Sequence, residues 1–273
     1  MENGRCPFWK LETVGNDFVL VNQQDVQGVD LPRLAIQLCE RRFSIGSDGL
    51  LVLDNSSDQL KLQFFNPDGT VDFCGNGLRC AAWHAYRQGW VGTSFDIHQD
   101  GAVIAMDVRR SGSVTARMPA ANYSPTAVPI LSEDEWIDRQ VAGVTGTAVS
   151  TGSTHFVSFV DEFPSELEFN QLGPAIEHDR LFPLRTSIMW TKVIHERHLA
   201  ILIWERGIGE TLGCGTGAIA AASVWFKKAG LSGDITVQSK GGMLKIFMES
   251  YSSPVTVTSE PEELFSGTIQ IEQ

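Results

Sequence analysis

Two of the five cysteines in this chain head closely similar stretches. One is Cys74-Gly75-Asn76-Gly77-Leu78-Arg79-Cys80-Ala81-Ala82. The other, about 140 residues further on, is Cys214-Gly215-Thr216-Gly217-Ala218-Ile219-Ala220-Ala221. Each joins a thiol to a Gly-polar-Gly turn and then to a run of small and apolar helix formers. A glycine-rich turn that opens a helix leaves backbone N–H groups pointing outward, and these suit a carboxylate. A single such turn is a weak signal, since a cysteine beside glycines is commonly just a small buried apolar group. Two copies in corresponding halves of one chain point to a pair of thiols serving one acidic substrate.

Two thiols flanking one carbon can invert it. A thiolate removes a proton from one face, a thiol delivers a proton to the other, and the pair is then ready for the reverse reaction with roles exchanged. The scheme needs unlike protonation states and thiol pKa values drawn toward neutrality, which helix N-termini and a nearby histidine or glutamate can arrange. Removing the α-proton of an amino acid also loads charge onto its carboxylate, which the amides of both Gly-polar-Gly turns would stabilise in a dry site. A papain-like hydrolase would leave the second cysteine turn unexplained, and a thiol redox enzyme would prefer a close CxxC pair, which the chain lacks. A non-catalytic amino-acid-binding protein stays open, because amide nests also serve simple binding.

Other polar residues stand where strands end. His155 lies between the turn Gly152-Ser153-Thr154 and the apolar run Phe156-Val157, as an acid–base partner for a cysteine or as a structural histidine. Glu205 and Arg206 follow the strand Ile201-Leu202-Ile203-Trp204; Arg206 can fork a carboxylate, while Glu205 can meet an ammonium or polarise a thiol. Asn66 ends the strand-like run Leu62-Gln63-Phe64-Phe65, and Asn16 sits in a turn where it can orient a substrate or cap the turn. Cys39 and Cys80 fall on helix faces that read as packing, and Asp48 reads as a turn-former.

The elements that must carry these residues follow from periodicity and punctuation. Strands are expected at 8–11 and 17–21, a helix over 31–43, strands at 50–53 and 62–66, and a helix from Cys74 to about Gln88 ending at Gly89. Strands follow at 92–97, 101–108 and 112–118, and the proline-containing passage 119–129 is the expected crossing between domains. Ser132-Glu133-Asp134-Glu135 reads as the entrance to a short amphipathic helix with Trp136 and Ile137. A helix over 167–176, an alanine-rich helix over 218–229, strands at 234–239, 243–249 and 254–259, and a final strand at 265–271 complete the pattern.

The bulk numbers bound the answer. A chain of 273 residues accommodates two ordinary cores, and the near-repeat favours two. A formal net charge of −12 argues against phosphate-backbone binding, so no nucleic-acid partner is expected. The sparse, odd set of cysteines suits a reducing compartment and forms no zinc pattern with the six histidines. With no span-length apolar run and a polar start, the expectation is a cytoplasmic protein without a membrane partner.

The motifs also run in a familiar order. Thr13-Val14-Gly15-Asn16-Asp17-Phe18, Gly46-Ser47-Asp48-Gly49, Phe65-Asn66-Pro67-Asp68-Gly69, Cys74-Gly75-Asn76-Gly77-Leu78-Arg79-Cys80, Trp204-Glu205-Arg206-Gly207-Ile208-Gly209-Glu210-Thr211 and Cys214-Gly215-Thr216-Gly217 together cover nearly the whole chain. By them the chain resembles the diaminopimelate epimerases, amino-acid epimerases that use no cofactor and no metal. The resemblance implies an α/β fold of two pseudo-symmetric domains, each a curved, mostly antiparallel sheet wrapped around a central helix, with substrate enclosed between them. The domains would be 1–122 plus 262–273, holding Cys74, and 123–261, holding Cys214. Cys74 and Cys214 would be the acid–base pair, with His155 and Glu205 their respective helpers. Gly75, Asn76, Gly215 and Thr216 would hold the reacting carboxylate and Asn16 would orient the substrate. Asn66, Glu205 and Arg206 would reach the far end of a diaminopimelate. A homodimer acting on a small amino acid is implied.

The departures gather at that far end. Where the family pattern is Gly-Asn-Pro-His this chain has Gly152-Ser153-Thr154-His155, and where it is commonly Thr-Asn-Val it has Thr186-Ser187-Ile188, followed by Met189-Trp190. The segment from Asn66 to Cys74 is also one residue shorter, with Thr70-Val71 where the family tends to have Ser-Glu. Ser153 and Ser187 are therefore the candidate distal-site residues. They leave two substrates in view: LL-/meso-diaminopimelate, or another amino acid with an aromatic, imidazole or basic side chain.

Overall fold

The computed structural model describes residues 5–271. The chain divides into two compact units, Met1–Ala116 with Ser259–Gln273, and Arg117–Thr258.

The first unit opens with strands β1 (Arg5–Thr13) and β2 (Asn16–Asn22), an antiparallel hairpin closed by Val14 and Gly15 at φ 49° and 74°. Helix α1 (Leu31–Cys39) starts on Asp30, whose carboxylate accepts the Arg33 amide at 3.2 Å, with Pro32 in the first turn where its missing N–H costs nothing. It stops short of the expected Phe43. Glu40 turns extended, and the carbonyls of Leu38 and Cys39 are taken by the amides of Gly46 and Ser47 at 2.9 and 3.1 Å, so the returning loop ends the helix. Strand β3 (Gly49–Asp54) runs parallel to β2 and β4 (Leu60–Phe65) antiparallel to β3. Helix α2 (Gly75–Arg87) follows, then β5 (Ser94–Gln99) parallel to β4 and β6 (Ala102–Val108) antiparallel to β5. Strand β7 (Val114–Met118) carries the chain across the unit boundary.

Period-two alternation decides which helix each strand residue meets. Leu50 and Val52 of β3 pack in one cluster with Leu34, Leu38 and Cys39 of α1. Leu51, between them, points the other way: a Cβ at Gly77 of α2 would lie 2.7 Å from its Cδ2. A sheet covered on both faces needs strands apolar on both, as β2 and β3 are.

The second unit repeats this plan. Strand β8 (Arg139–Val141) leads through Ala142-Gly143 into β9 (Val144–Ser150), which pairs antiparallel with β10 (Thr154–Phe159). Helix α3 (Glu166–Glu177) begins on a capping box between Ser165 and Glu168 and leads to β11 (Ser187–His195), parallel to β10, and β12 (His198–Glu205), antiparallel to β11. A short β13 (Gly209–Thr211) precedes helix α4 (Gly215–Ala229), then come β14 (Gly233–Ser239) parallel to β12, β15 (Gly242–Met248) antiparallel to β14, and β16 (Val255–Ser259). Strand β17 (Glu262–Gln270) returns to pair antiparallel with β1. The sequence β1-β2-α1-β3-β4-α2-β5-β6 is thus matched, pairing by pairing, by β9-β10-α3-β11-β12-α4-β14-β15.

In each unit the helix that follows its cysteine is the central one. Residues 75–82 of α2 and 215–224 of α4 are buried throughout, and their glycines and alanines let strands approach from every side. The expected helix after Ser132 is absent. Ser132 instead closes a turn on Asp134, and the Trp136 carbonyl accepts the Ala148 amide of β9 at 2.9 Å while its ring packs against the cluster of Phe156 and Trp190. Docking of one aromatic residue outweighs a short local helix, whose nucleation is costly. No helix among the described residues is long and apolar enough to cross a membrane.

Candidate active site

Each of the two cysteines is the N-cap of its central helix. Cys74 has φ −128° and ψ 103°, Cys214 has φ −134° and ψ 113°, and in each the sulfur accepts the amide three residues on, Gly77 at 3.3 Å and Gly217 at 3.4 Å. This is the position normally held by Ser, Thr, Asp or Asn, and a thiolate there gains from both the amide and the positive end of the helix dipole. The third residue of each turn has to be glycine for space. A Cβ on Gly217 would stand 2.5 Å from Met189 Sδ and 3.3 Å from Cys214 Sγ, and one on Gly77 would stand 3.3 Å from Cys74 Sγ.

The other three cysteines are of a different kind. Burial pushes the thiol of Cys6 up to about 12 and that of Cys39 to about 11, and raises Cys80 further still. They are packing groups, as the helical spacing predicts for Cys39 and Cys80.

Around Cys74 the first unit assembles Asn16, Asn76 and Arg79. Asn76 donates its amide to Asn16 Oδ1 at 3.0 Å, and Asn16 donates to Asp48 at 2.8 Å. The Arg79 guanidinium, fully buried, donates to Asn76 Oδ1 and, at 2.7 Å, to Ser259 Oγ. Arg79 has a sequence signal, a lone charge in an otherwise small and apolar helical run, that marks it for a buried task. Asp48 does more than form a turn: it accepts from Asn16, from the Asp17 amide at 3.2 Å and from Arg41 at 2.8 Å. Asn66 follows β4 at the start of a tight turn, with its side-chain amide on Thr70 Oγ1 at 3.0 Å and its backbone N–H on the Thr70 carbonyl at 2.8 Å.

The second unit brings together Ser153, His155, Ser187, Glu205, Arg206, Cys214, Gly215 and Thr216. Strand register accounts for much of this, since His155 of β10 is level with Ser187 of β11 and Ile188 is level with Trp204 of β12. His155 is buried, its Nε2 3.0 Å from Ser153 Oγ; that hydroxyl is 3.2 Å from Thr216 Oγ1, which is 3.5 Å from Cys214 Sγ. Burial first, and the Arg206 cation second, push the His155 imidazole down to about 3, so it is neutral at ordinary pH. Ser187 accepts the Arg206 amide at 3.1 Å, and Arg206 also donates to the Leu184 carbonyl at 3.2 Å. Glu205 accepts from Thr211 at 2.8 Å.

Glu177, at the end of α3, was not marked by any motif. Buried, it accepts from Trp204 Nε1 at 2.7 Å, from the Gly207 amide at 2.9 Å and from Arg185 at 3.3 Å, gripping the Glu205-Arg206 turn from both sides. Among the described residues no group of three or more His, Cys, Asp or Glu is arranged to hold a metal ion.

The duplicated sheet-and-helix unit together with the family match places the chain in a class: pyridoxal-phosphate-independent isomerases of the epimerase kind, acting on an amino-acid-like substrate. The diaminopimelate epimerase family model matches residues 8–123 and 147–264, and the chain belongs to that family. A diaminopimelate epimerase of Moorella thermoacetica is 36% identical over 279 residues, covering 97% of this chain and 99% of the relative. Two solved structures share the fold at low identity. A hydroxyproline epimerase from Agrobacterium vitis superposes with a TM-score of 0.71 at 11% identity, over all of this chain and 94% of that one. A PhzF-family phenazine biosynthesis protein from Bacillus anthracis superposes with a TM-score of 0.69 at 14% identity, over 98% and 99% of the two chains.

Proposed function

We propose that this chain inverts the α-carbon of an amino acid with Cys74 and Cys214 as the acid–base pair, and that its substrate is LL-/meso-diaminopimelate. The observation that carries the reading is the duplicated cap, Sγ to the third amide at 3.3 and 3.4 Å at the heads of two buried helices. One cysteine, as thiolate, takes the α-proton and becomes a thiol. The carbon's electron pair spreads into the carboxylate, where backbone amides of the first helical turns stabilise it. The other cysteine, as thiol, gives its proton to the opposite face and is left a thiolate, so the protein holds the same number of protons before and after. Asn16 and Asn76 fix the carboxylate side in this reading, and Asn66, Glu205 and Arg206 take the distal ammonium and carboxylate. The identity to named diaminopimelate epimerases over almost the full chain supports this substrate.

One observation favours a second reading, racemisation of a different amino acid. Both serines that stand for expected asparagines have their hydroxyls engaged inside the unit, Ser153 with His155 and Thr216, Ser187 with the Arg206 amide. Two short hydroxyls held in this way match a distal carboxylate less well than two carboxamides would, and such a mismatch discriminates strongly.

The deciding experiment incubates the protein in D2O with single amino acids, including the diaminopimelate stereoisomers, and follows α-deuteration by mass spectrometry. Exchange into LL- and meso-diaminopimelate is expected. Exchange into another amino acid with none into diaminopimelate would establish the second reading, and turnover unaffected by Cys74→Ala or Cys214→Ala would remove the two-thiol mechanism.

A further inference from the structure

The hydrogen bonds around Cys214 form a chain. His155 lies at one end, Cys214 at the other, and the hydroxyls of Ser153 and Thr216 between them, with separations of 3.0, 3.2 and 3.5 Å. Thr216 is itself held by Thr151, which donates to its carbonyl at 2.9 Å. The second nitrogen of the imidazole, Nδ1, is buried with no hydrogen-bond partner among the described residues. A neutral imidazole carries one N–H, and a buried N–H is rarely left without an acceptor, so the proton belongs on Nε2, the nitrogen that faces Ser153. With Nε2–H donating to Ser153, each hydroxyl still has one O–H to place, and the arrangement that serves a charged sulfur has Ser153 donating to Thr216 and Thr216 donating to Cys214. Every donor in the chain then points toward Cys214, joined there by the Gly217 amide at 3.4 Å. The equivalent residue in the first unit is Asn76, whose side chain serves Asn16 and Arg79.

We propose that Ser153 and Thr216 are positioning residues, a hydroxyl relay that couples His155 to Cys214 and makes Cys214 the resting thiolate, the cysteine that takes the first proton. The proposal rests on the inversion reading above for what the thiolate does, and on the geometry alone for where it is. No proton leaves the imidazole. The relay acts by donating hydrogen bonds to the charged sulfur; it gives His155 to Cys214, where the resemblance implies Cys74, and it assigns Ser153 to the reacting half of the site instead of the distal end.

The test is the pH dependence of iodoacetamide labelling of the intact protein, with alkylation of the Cys214 and Cys74 peptides quantified separately by mass spectrometry. In Ser153→Ala and in Thr216→Val the apparent pKa of Cys214 should rise by about one pH unit, the worth of one hydrogen bond to a charged acceptor. The double variant should rise little beyond either single one, because both break the same chain, and Thr216→Ser should restore the original profile. The Cys74 profile serves as the internal reference and should stay put. Melting curves identify variants that are folded, and should Thr216→Val unfold, Ser153→Ala decides by itself. A Cys214 profile unchanged in folded Ser153→Ala overturns the relay. Labelling needs no substrate: an unmoved profile in a protein that exchanges α-protons removes the relay alone, and a shifted profile in one that exchanges none keeps the relay and removes the inversion reading.

Discussion

The hydroxyl of Ser187 accepts the backbone N–H of Arg206 at 3.1 Å, tying the start of β11 to the turn that follows β12. Ser187→Ala removes that acceptor and should cost about 1 kcal/mol of stability. In the proposed enzyme it should raise KM more than it lowers kcat, since Arg206 serves binding at the distal end. Urea denaturation and steady-state kinetics check the two parts, and a variant with wild-type stability and KM would show the contact to be idle.

Cysteine at an N-cap can be exchanged for serine without harm to the helix. Cys74→Ser and Cys214→Ser should therefore keep stability within about 1 kcal/mol, because a serine oxygen accepts the Gly77 or Gly217 amide equally well. Turnover should fall on the order of 10³-fold or more, since a hydroxyl cannot serve as an acid or base near neutrality. Calorimetry alongside α-deuteration separates the cap from the chemistry.

His155 links stability to pH. Its folded pKa, about 3, lies below the ordinary 6.5, so in that interval the unfolded chain binds the proton and the folded one does not. Its contribution is full above 6.5 and is lost progressively as pH falls toward 3, on the order of a few kcal/mol in all. His84, also lowered by burial, acts in the same direction. Urea midpoints measured from pH 7 to 4 should fall less steeply in His155→Gln than in the wild type, and parallel curves would refute the assignment.

Gly173 of α3 lies against the Trp204 ring, where a Cβ would come within 2.3 Å of Cδ2. The ring is pinned by its bond to Glu177 and cannot slide away without losing it. Gly173→Ala should thus destabilise the protein by about 1–3 kcal/mol, against a helix-propensity gain of about 1 kcal/mol. It should also disturb Glu205 and Arg206, next in the chain. Equal or greater urea resistance would show that the ring yields.

Local rules reached far in this chain. The cysteine cap joins residues three apart, so the motif that names Cys74 also contains Gly77, and the same holds for Cys214 and Gly217. The spacing of Leu34, Leu38 and Cys39 marked the buried face of α1, and the near-repeat marked two similar units. Where the expectation failed, after Ser132 and at the end of α1, a contact from a distant segment outweighed the local preference: β9 at Trp136, the returning loop at Leu38 and Cys39.

The sequence by itself determined the family, the two capped thiols and the helices they head, because those depend on contacts within one or two turns. Only the tertiary structure decided what the unusual serines face. A short hydroxyl reaches whatever strand register sets beside it, and Ser153 meets Thr216 across 63 positions of chain while Ser187 meets Arg206 across 19. Separations of that size are closed by the pairing of whole strands and the seating of a central helix, which no local pattern encodes.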